Sequence, residues 1–192
     1  MRALGCDLPG LSAKTSERRP YPPGQHGQGR KKVSEYGLRL REKQKLCRNY
    51  GVTEKKLRRL MVQARAAKGP TGQRLLELLE RRLDNVVFRA RFARSIPAAR
   101  QLVNHGHITV DGKRVDRASF AVRAGQVISL RERSRELSVV VGALEAGPTL
   151  ETPWLSVDDK ARVATVSTLP EASSVPFPID VQLVVEFYSQ QV

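Results

Sequence analysis

Cysteine, tryptophan and histidine are scarce in this chain: two, one and three residues respectively in 192, with aromatics at 5%. Cys6 and Cys47 stand far apart and form no C-x-x-C, which argues against both a disulfide framework and a four-ligand zinc site. His105-x-His107 is the one close histidine pair and has no third ligand at suitable spacing, so no metal is expected. No apolar run approaches the roughly 18–20 residues of a membrane span. The start Met1-Arg-Ala-Leu-Gly-Cys6 lacks the apolar core of a signal peptide. Trp154 lies in an acidic region, and the basic helices lack the aromatic face of an interfacial anchor. Enzyme signatures are missing too. Gly24, Gly27 and Gly29 have no preceding strand and following helix to make a phosphate loop, and no Gly-x-Ser-x-Gly elbow occurs. Asp84 and Asp116 are isolated carboxylates. No catalytic residue and no cofactor are expected.

Positive charge is what the chain has in excess. Thirty-four Lys and Arg against nineteen Asp and Glu leave +15, which calls for a polyanionic partner. The excess is unevenly placed: +12 over residues 1–80, +8 over 81–141 and −5 over 142–192. A surface charged only for solubility needs no such asymmetry. Nucleic acid is favoured over a membrane, and the acidic last section is expected to face protein or solvent.

The densest information lies between Ala90 and Val115. Ser95 is a good N-cap and Pro97 suits a first helical turn. Ile96, Ala99, Leu102 and Val103 recur at helical spacing, with Arg100, Gln101 and Asn104 opposite. Gly106 can take the left-handed conformation that ends a helix. His107–Val110 alternates like a half-buried strand, and Asp111-Gly112 is a two-residue turn into Lys113-Arg114-Val115. Arg89, Arg91 and Arg94 before the helix, and Lys113, Arg114 and Arg117 after the turn, give this helix-plus-hairpin a basic rim. Arginine suits bidentate phosphate grips and stacking on exposed bases.

Residues 1–36 predict an extended basic arm, broken by Pro20, Pro22, Pro23 and several glycines. Arg18, Arg19, Tyr21, Gln25, His26, Arg30, Lys31 and Lys32 are its candidate RNA contacts, Tyr21 or His26 stacking on unpaired bases. Helices follow. Over Leu38–Tyr50, Leu40, Leu46, Cys47 and Tyr50 share one side and Arg41, Lys45 and Arg48 the other. Thr53 is expected to cap a second helix carrying Arg58. Thr71 is expected to cap a third, whose apolar pattern runs on through Leu83, Val86, Val87 and Ala90. Two or more strands are expected around Ala124-Gly125, a helix over Leu137–Leu144, and a hairpin from Trp154–Val157 and Arg162–Val166. Ile179–Tyr188 is open between helix and strand on periodicity.

The runs Arg82–Phe88, Ala99–Ile108 and Val110–Val115 resemble the small RNA-binding domain shared by a ribosomal protein, some pseudouridine synthases and some tRNA synthetases. RRPYPPGQHGQ (Arg18–Gln28) and YGLRLREKQKLCRNYGV (Tyr36–Val52) narrow this. Together they resemble the family of protein four of the bacterial-type small ribosomal subunit, over about nine tenths of the chain. Arg82-Leu83-Asp84 also resembles the catalytic stretch of pseudouridine synthases. The Thr and Gly expected after it are missing, however, and no room remains for a catalytic domain.

The family implies an α+β fold with a basic N-terminal arm (1–36) and a discontinuous helical domain (37–80). A C-terminal hairpin and terminal helix within 145–192 would complete the helical domain. A small RNA-binding domain (81–144), of helices plus a short antiparallel β-sheet, would be inserted between. The resemblance favours a helix for the terminal segment, folded back on the first helices. It implies a monomeric constituent of the small ribosomal subunit, cytoplasmic or organellar, that binds small-subunit ribosomal RNA directly beside protein five. Candidate contacts in the body are Arg41, Lys45, Arg48, Arg58, Arg82, Arg89, Arg94, Arg100, His105, His107, Lys113 and Arg114. The alternative is a free-standing RNA-binding regulator or RNA-modification accessory factor. Two departures stand out: Ala90-Arg91 replaces the Leu-Gly or Met-Gly common in relatives, and the chain starts later than the family's basic lead-in.

Overall fold

The structure, a computed structural model, describes residues 1–29, 32–147 and 152–189. It divides into two compact units, residues 1–75 with 176–192 and residues 76–175, the first boundary falling inside a helix.

The first unit is built on α1 (Glu35–Asn49) and α2 (Glu54–Ala66), the start of α3 (Thr71–Glu80), and the last helix α7 (Val181–Ser189). Ser34 caps α1 by accepting from the Gly37 amide. Thr53 holds the cap position of α2 without a side-chain bond. Thr71 is not a cap but the first residue of α3: the Pro70 carbonyl already accepts from the Arg74 amide, so the helical ladder starts one residue earlier than expected. Leu46, Tyr50, Leu57, Met61, Val184 and Tyr188 are fully buried in this unit's core. The terminal segment is a helix, and it lies along α1. Phe187 stacks 5.8 Å from Tyr36, and Glu186 receives Arg39 Nε at 3.0 Å. The Asp180 amide donates to Glu42 Oε2 at 3.0 Å.

The arm is not extended throughout. Leu8 is fully buried, and the Gly10 amide donates to the buried Asn49 Oδ1 at 2.9 Å. Asp7 Oδ1 accepts from the Ser16 amide at 2.9 Å and its hydroxyl at 2.7 Å. Arg2 lies 5.2 Å from the Tyr21 ring and donates through Nε to the Tyr21 carbonyl. Leu8 has an apolar site to fill and Asn49 a buried acceptor to satisfy, so the first half folds into the helical unit. The Pro/Gly half runs as exposed turns. There Gly27 sits so close to the Pro22 carbonyl that a Cβ could not be placed.

The second unit holds the end of α3, α4 (Leu83–Arg89), α5 (Ile96–Asn104), β1 (Ile108–Val110), β2 (Lys113–Arg114), β3 (Val127–Leu130), α6 (Ser138–Glu145), β4 (Leu155–Asp158) and β5 (Val163–Val166). Ser95 caps α5 as expected, its hydroxyl accepting from the Ala98 amide. All five strands form one antiparallel sheet in the order β2-β1-β3-β5-β4. This corrects two expectations. The β4–β5 hairpin belongs to this sheet and not to the helical domain: Val127 pairs with Thr165 and Ser129 with Val163. β1 occupies one edge of β3, so the other edge is free to take β5. Ala164 and Val166 then bury on the same sheet as Ile128 and Leu130.

The second correction concerns residues 118–122, which form no strand beyond a bridge from Ala121 to Arg82. They serve a break in the long apolar pattern between Leu75 and Ala90. The Phe120 and Ala118 carbonyls accept from the Leu83 and Asp84 amides, and the Val122 amide donates to the Arg81 carbonyl. Backbone groups left open between α3 and α4 are thereby paired.

Candidate nucleic-acid interface

The corner between α5 and β1 brings together basic residues from separate segments of the chain. Gly106 has φ +73°, ending α5, and a Cβ there would fall onto the Arg114 guanidinium. The turn that returns Arg114 to this place has positive φ at both Asp111 (49°) and Gly112 (75°). Asp111 fixes the turn by accepting from the Val127 amide at 2.9 Å and from Gln126 at 2.8 Å. Those bonds hold its carboxyl below the usual carboxylate range, the bond from the Val127 amide first. Arg131, just past β3, donates from its amide to the His107 carbonyl at 2.9 Å and from Nη1 to the Gly106 carbonyl at 3.4 Å. His107 Nδ1 lies 2.9 Å from the Ser134 hydroxyl, and the His105 ring centres 6.0 Å from it. Burial lowers the His107 pKa, and the neighbouring His105, Arg131 and Arg114 lower it further. His107 is a hydrogen-bonding group among cations that disfavour its charged form.

Not every candidate arginine is on the surface. Arg82 is 5% exposed and gives two bonds to Asp84, Nε–Oδ1 at 3.1 Å and Nη2–Oδ2 at 2.8 Å. Arg89 is 3% exposed and binds Glu80 through Nε at 3.1 Å and Nη2 at 2.9 Å. Its Nη2 also donates to the Ser174 carbonyl at 2.9 Å. Both are removed from the set of RNA contacts. A buried carboxylate must be paired, and these two arginines pair Asp84 and Glu80. Arg100 is half-buried and donates to Asp84 Oδ2 from Nε at 3.1 Å and Nη2 at 2.7 Å. Asp84 thus orients two arginines, a structural part that fits the isolated carboxylate seen in the sequence. Lys45 is half-buried as well, with Nζ 2.6 Å from Glu42 and 3.3 Å from the Pro178 carbonyl.

The other candidates lie at the surface. In the first unit Arg18, Arg19, Gln25, His26, Lys32, Arg41, Arg48 and Arg58 are exposed and Tyr21 is half-buried; Arg30 and Lys31 lie outside the described residues. In the second, Arg94, His105, Lys113 and Arg114 are exposed and His107 is half-buried. Arg94 Nε is steadied by the Gly142 carbonyl at 3.0 Å. Among the described residues no group of three His, Cys, Asp or Glu could hold a metal ion, and no helix is long and apolar enough to cross a membrane.

Residues 1–80 match the family model for the ribosomal protein S4/S9 N-terminal domain, and residues 81–128 match that for the S4 domain. Small ribosomal subunit protein uS4 of Methylobacillus flagellatus is 56% identical over 193 residues, spanning 100% of this chain and 94% of the relative. The chain belongs to the uS4 family. Protein uS4B of Nitrosomonas europaea is 51% identical and uS4 of Nostoc punctiforme 52%, each over 100% of this chain and 94% of its own length.

For this uS4-family chain, two arginines make contacts that their spacing in the sequence does not specify. Arg131 is one of three arginines in Arg131–Arg135, and nothing in the spacing says which of them turns back to Gly106. Arg91 adopts the left-handed conformation (φ +65°) that a glycine would take freely, and its Nη2 lies 2.6 Å from both Asp159 carboxylate oxygens. It ties the β4–β5 tip to the residues after α4 and is bound to protein.

Proposed function

We propose that this chain is a structural, non-enzymatic constituent of the small ribosomal subunit that binds small-subunit ribosomal RNA directly. The observation that carries this is the exposed cationic rim of the second unit. Among the described residues Lys113, Arg114, Arg117, Arg131, Arg133 and Arg135 face solvent with no carboxylate within ion-pairing distance. The relatives point to the polyanion such a rim fits: each is a small ribosomal subunit protein. The exposed Pro/Gly half of the arm and the basic faces of α1 and α2 add contacts from the other unit. Binding of this kind clamps a multi-helix RNA junction by charge and shape, with many weak contacts instead of one deep site. What the resemblance to the family implies is finer: the chain would bind a junction in the 5′ part of the ribosomal RNA, nucleate assembly of the subunit body, and work beside protein five in decoding accuracy. It would act as a monomer within a cytoplasmic or organellar ribosome.

The test is salt-dependent binding to purified small-subunit ribosomal RNA with transfer RNA and random duplex as competitors. Each phosphate neutralised should contribute roughly −0.7 to −0.9 to the log–log salt slope. Lys113/Arg114/Arg117→Ala removes the rim. Arg18/Arg19/Lys32→Ala tests the arm without deleting Leu8 and Gly10, which the helical unit needs. Competitor-resistant binding that both variants weaken supports the proposal; equal affinity for every RNA refutes it.

A further inference from the structure

Arg114 on β2 and Arg131 just past β3 reach the same residue. The Arg114 guanidinium occupies the space beside Gly106 Cα that a side chain would fill, and Arg131 Nη1 donates to the Gly106 carbonyl at 3.4 Å. Two like charges are thus held at one peptide unit, and among the described residues neither takes part in an ion pair. Such a juxtaposition is unfavourable until an anion lies between the cations. Neither arginine is loosely hung. The Asp111-Gly112 turn fixes β2, and the Arg131 amide is bonded to the His107 carbonyl. Each guanidinium presents several donors in a fixed fork that matches phosphate oxygens.

We infer that Arg114 and Arg131 form a two-arginine clamp for a single backbone phosphate of the bound RNA, with Gly106 as the positioning residue that leaves room for Arg114. This rests on the RNA-binding function proposed above and names one subsite within it. The phosphate bridges the two guanidinium groups over the Gly106 corner. His105 and His107 line its rim, His107 held by the Ser134 hydroxyl. Arg133 and Arg135 are equally charged and equally exposed but lie outside the clamp.

The experiment measures binding of a transcript of the 5′ part of small-subunit ribosomal RNA as a function of salt. The proteins are the full chain and its Arg114→Ala, Arg131→Ala, Arg114/Arg131→Ala, Arg133→Ala and Arg135→Ala variants, each checked for fold by circular dichroism. Arg114→Ala and Arg131→Ala should each weaken binding about tenfold, as for loss of a charge-assisted bidentate contact. The double variant should be little worse than either single one, because a shared phosphate makes the losses non-additive. Arg133→Ala and Arg135→Ala should cost less than about threefold. Gly106→Ala should weaken binding with the net charge intact, and should add nothing in an Arg114→Ala background. Additive losses, or an Arg131→Ala effect no larger than that of Arg133→Ala, would overturn the clamp and leave the RNA-binding function standing. A wild-type chain that binds this transcript no better than random duplex would refute both together.

Discussion

Replacing Glu80 by alanine should be among the most damaging single changes in the second unit. The Glu80 carboxylate is fully buried and accepts from Asn85 Nδ2 at 2.8 Å and from Arg89 Nε at 3.1 Å and Nη2 at 2.9 Å. With the carboxylate gone, Asn85 keeps a partner, because its Nδ2 also donates to the Glu80 carbonyl at 2.9 Å. Arg89 does not fare so well. Its side chain is 1% exposed, and the bond to the Ser174 carbonyl offers no opposite charge. Breaking one side of a buried pair typically costs about 3–5 kcal/mol, against a total stability on the order of 5–15 kcal/mol. For a unit of about one hundred residues, 4 kcal/mol corresponds to a Tm drop of roughly 15–30 °C. Urea unfolding followed by circular dichroism measures it. Arg89 Nη1 has no hydrogen-bond partner among the described residues even in the intact pair. The double variant Glu80→Leu/Arg89→Met should therefore recover most of the loss. A Glu80→Ala cost below about 1 kcal/mol, or a double variant as unstable as the single one, would refute the assignment of Arg89 to the protein interior's charge balance.

Arg91→Gly should change stability by less than about 1 kcal/mol, since relief of a left-handed non-glycine backbone offsets loss of a half-exposed pair with Asp159; Arg91→Ala keeps the strain, loses the pair, and should be the worse of the two in thermal melts. Burial opposes ionisation of Glu54, but the bonds from Lys43 at 2.7 Å and the Tyr188 hydroxyl at 2.6 Å outweigh it and lower its pKa. Its contribution to stability is present above the ordinary glutamate value and lost as pH falls through the lowered folded value, so Glu54→Gln should flatten part of the acid limb of stability against pH. Cys47 is raised to about 11, burial first and Glu54 next. Alkylation by iodoacetamide at pH 8 should accordingly be about two orders of magnitude slower than for a free thiol in the same buffer.

Much of the second unit is local physics, and the sequence determined it. The Ser95 cap, the Gly106 stop and the Asp111-Gly112 turn are each specified by residues within a few positions of one another, so spacing alone placed α5 and β1–β2. The terminal helix needed the family resemblance, because Ile179–Tyr188 is apolar at both periodicities. Global charge asymmetry was equally legible, since it needs no coordinates.

Tertiary structure decided which charges are available. Arg82 and Arg89 look like Arg94 and Arg114 in sequence, and only folding shows that the first two neutralise buried Asp84 and Glu80. It also decided that β5 joins the free edge of β3, a pairing between segments about forty residues apart that no local pattern encodes. The folding-back of the Leu8–Gly10 stretch onto the helical unit was hidden for the same reason, because Asn49, which accepts from the Gly10 amide, lies about forty residues on. Arg131 reaches Gly106 only because β1 and β3 are neighbours. Side-chain type and short-range spacing are written along the chain, whereas burial and pairing depend on what distant segments bring alongside, and those set which basic residues reach the surface uncompensated.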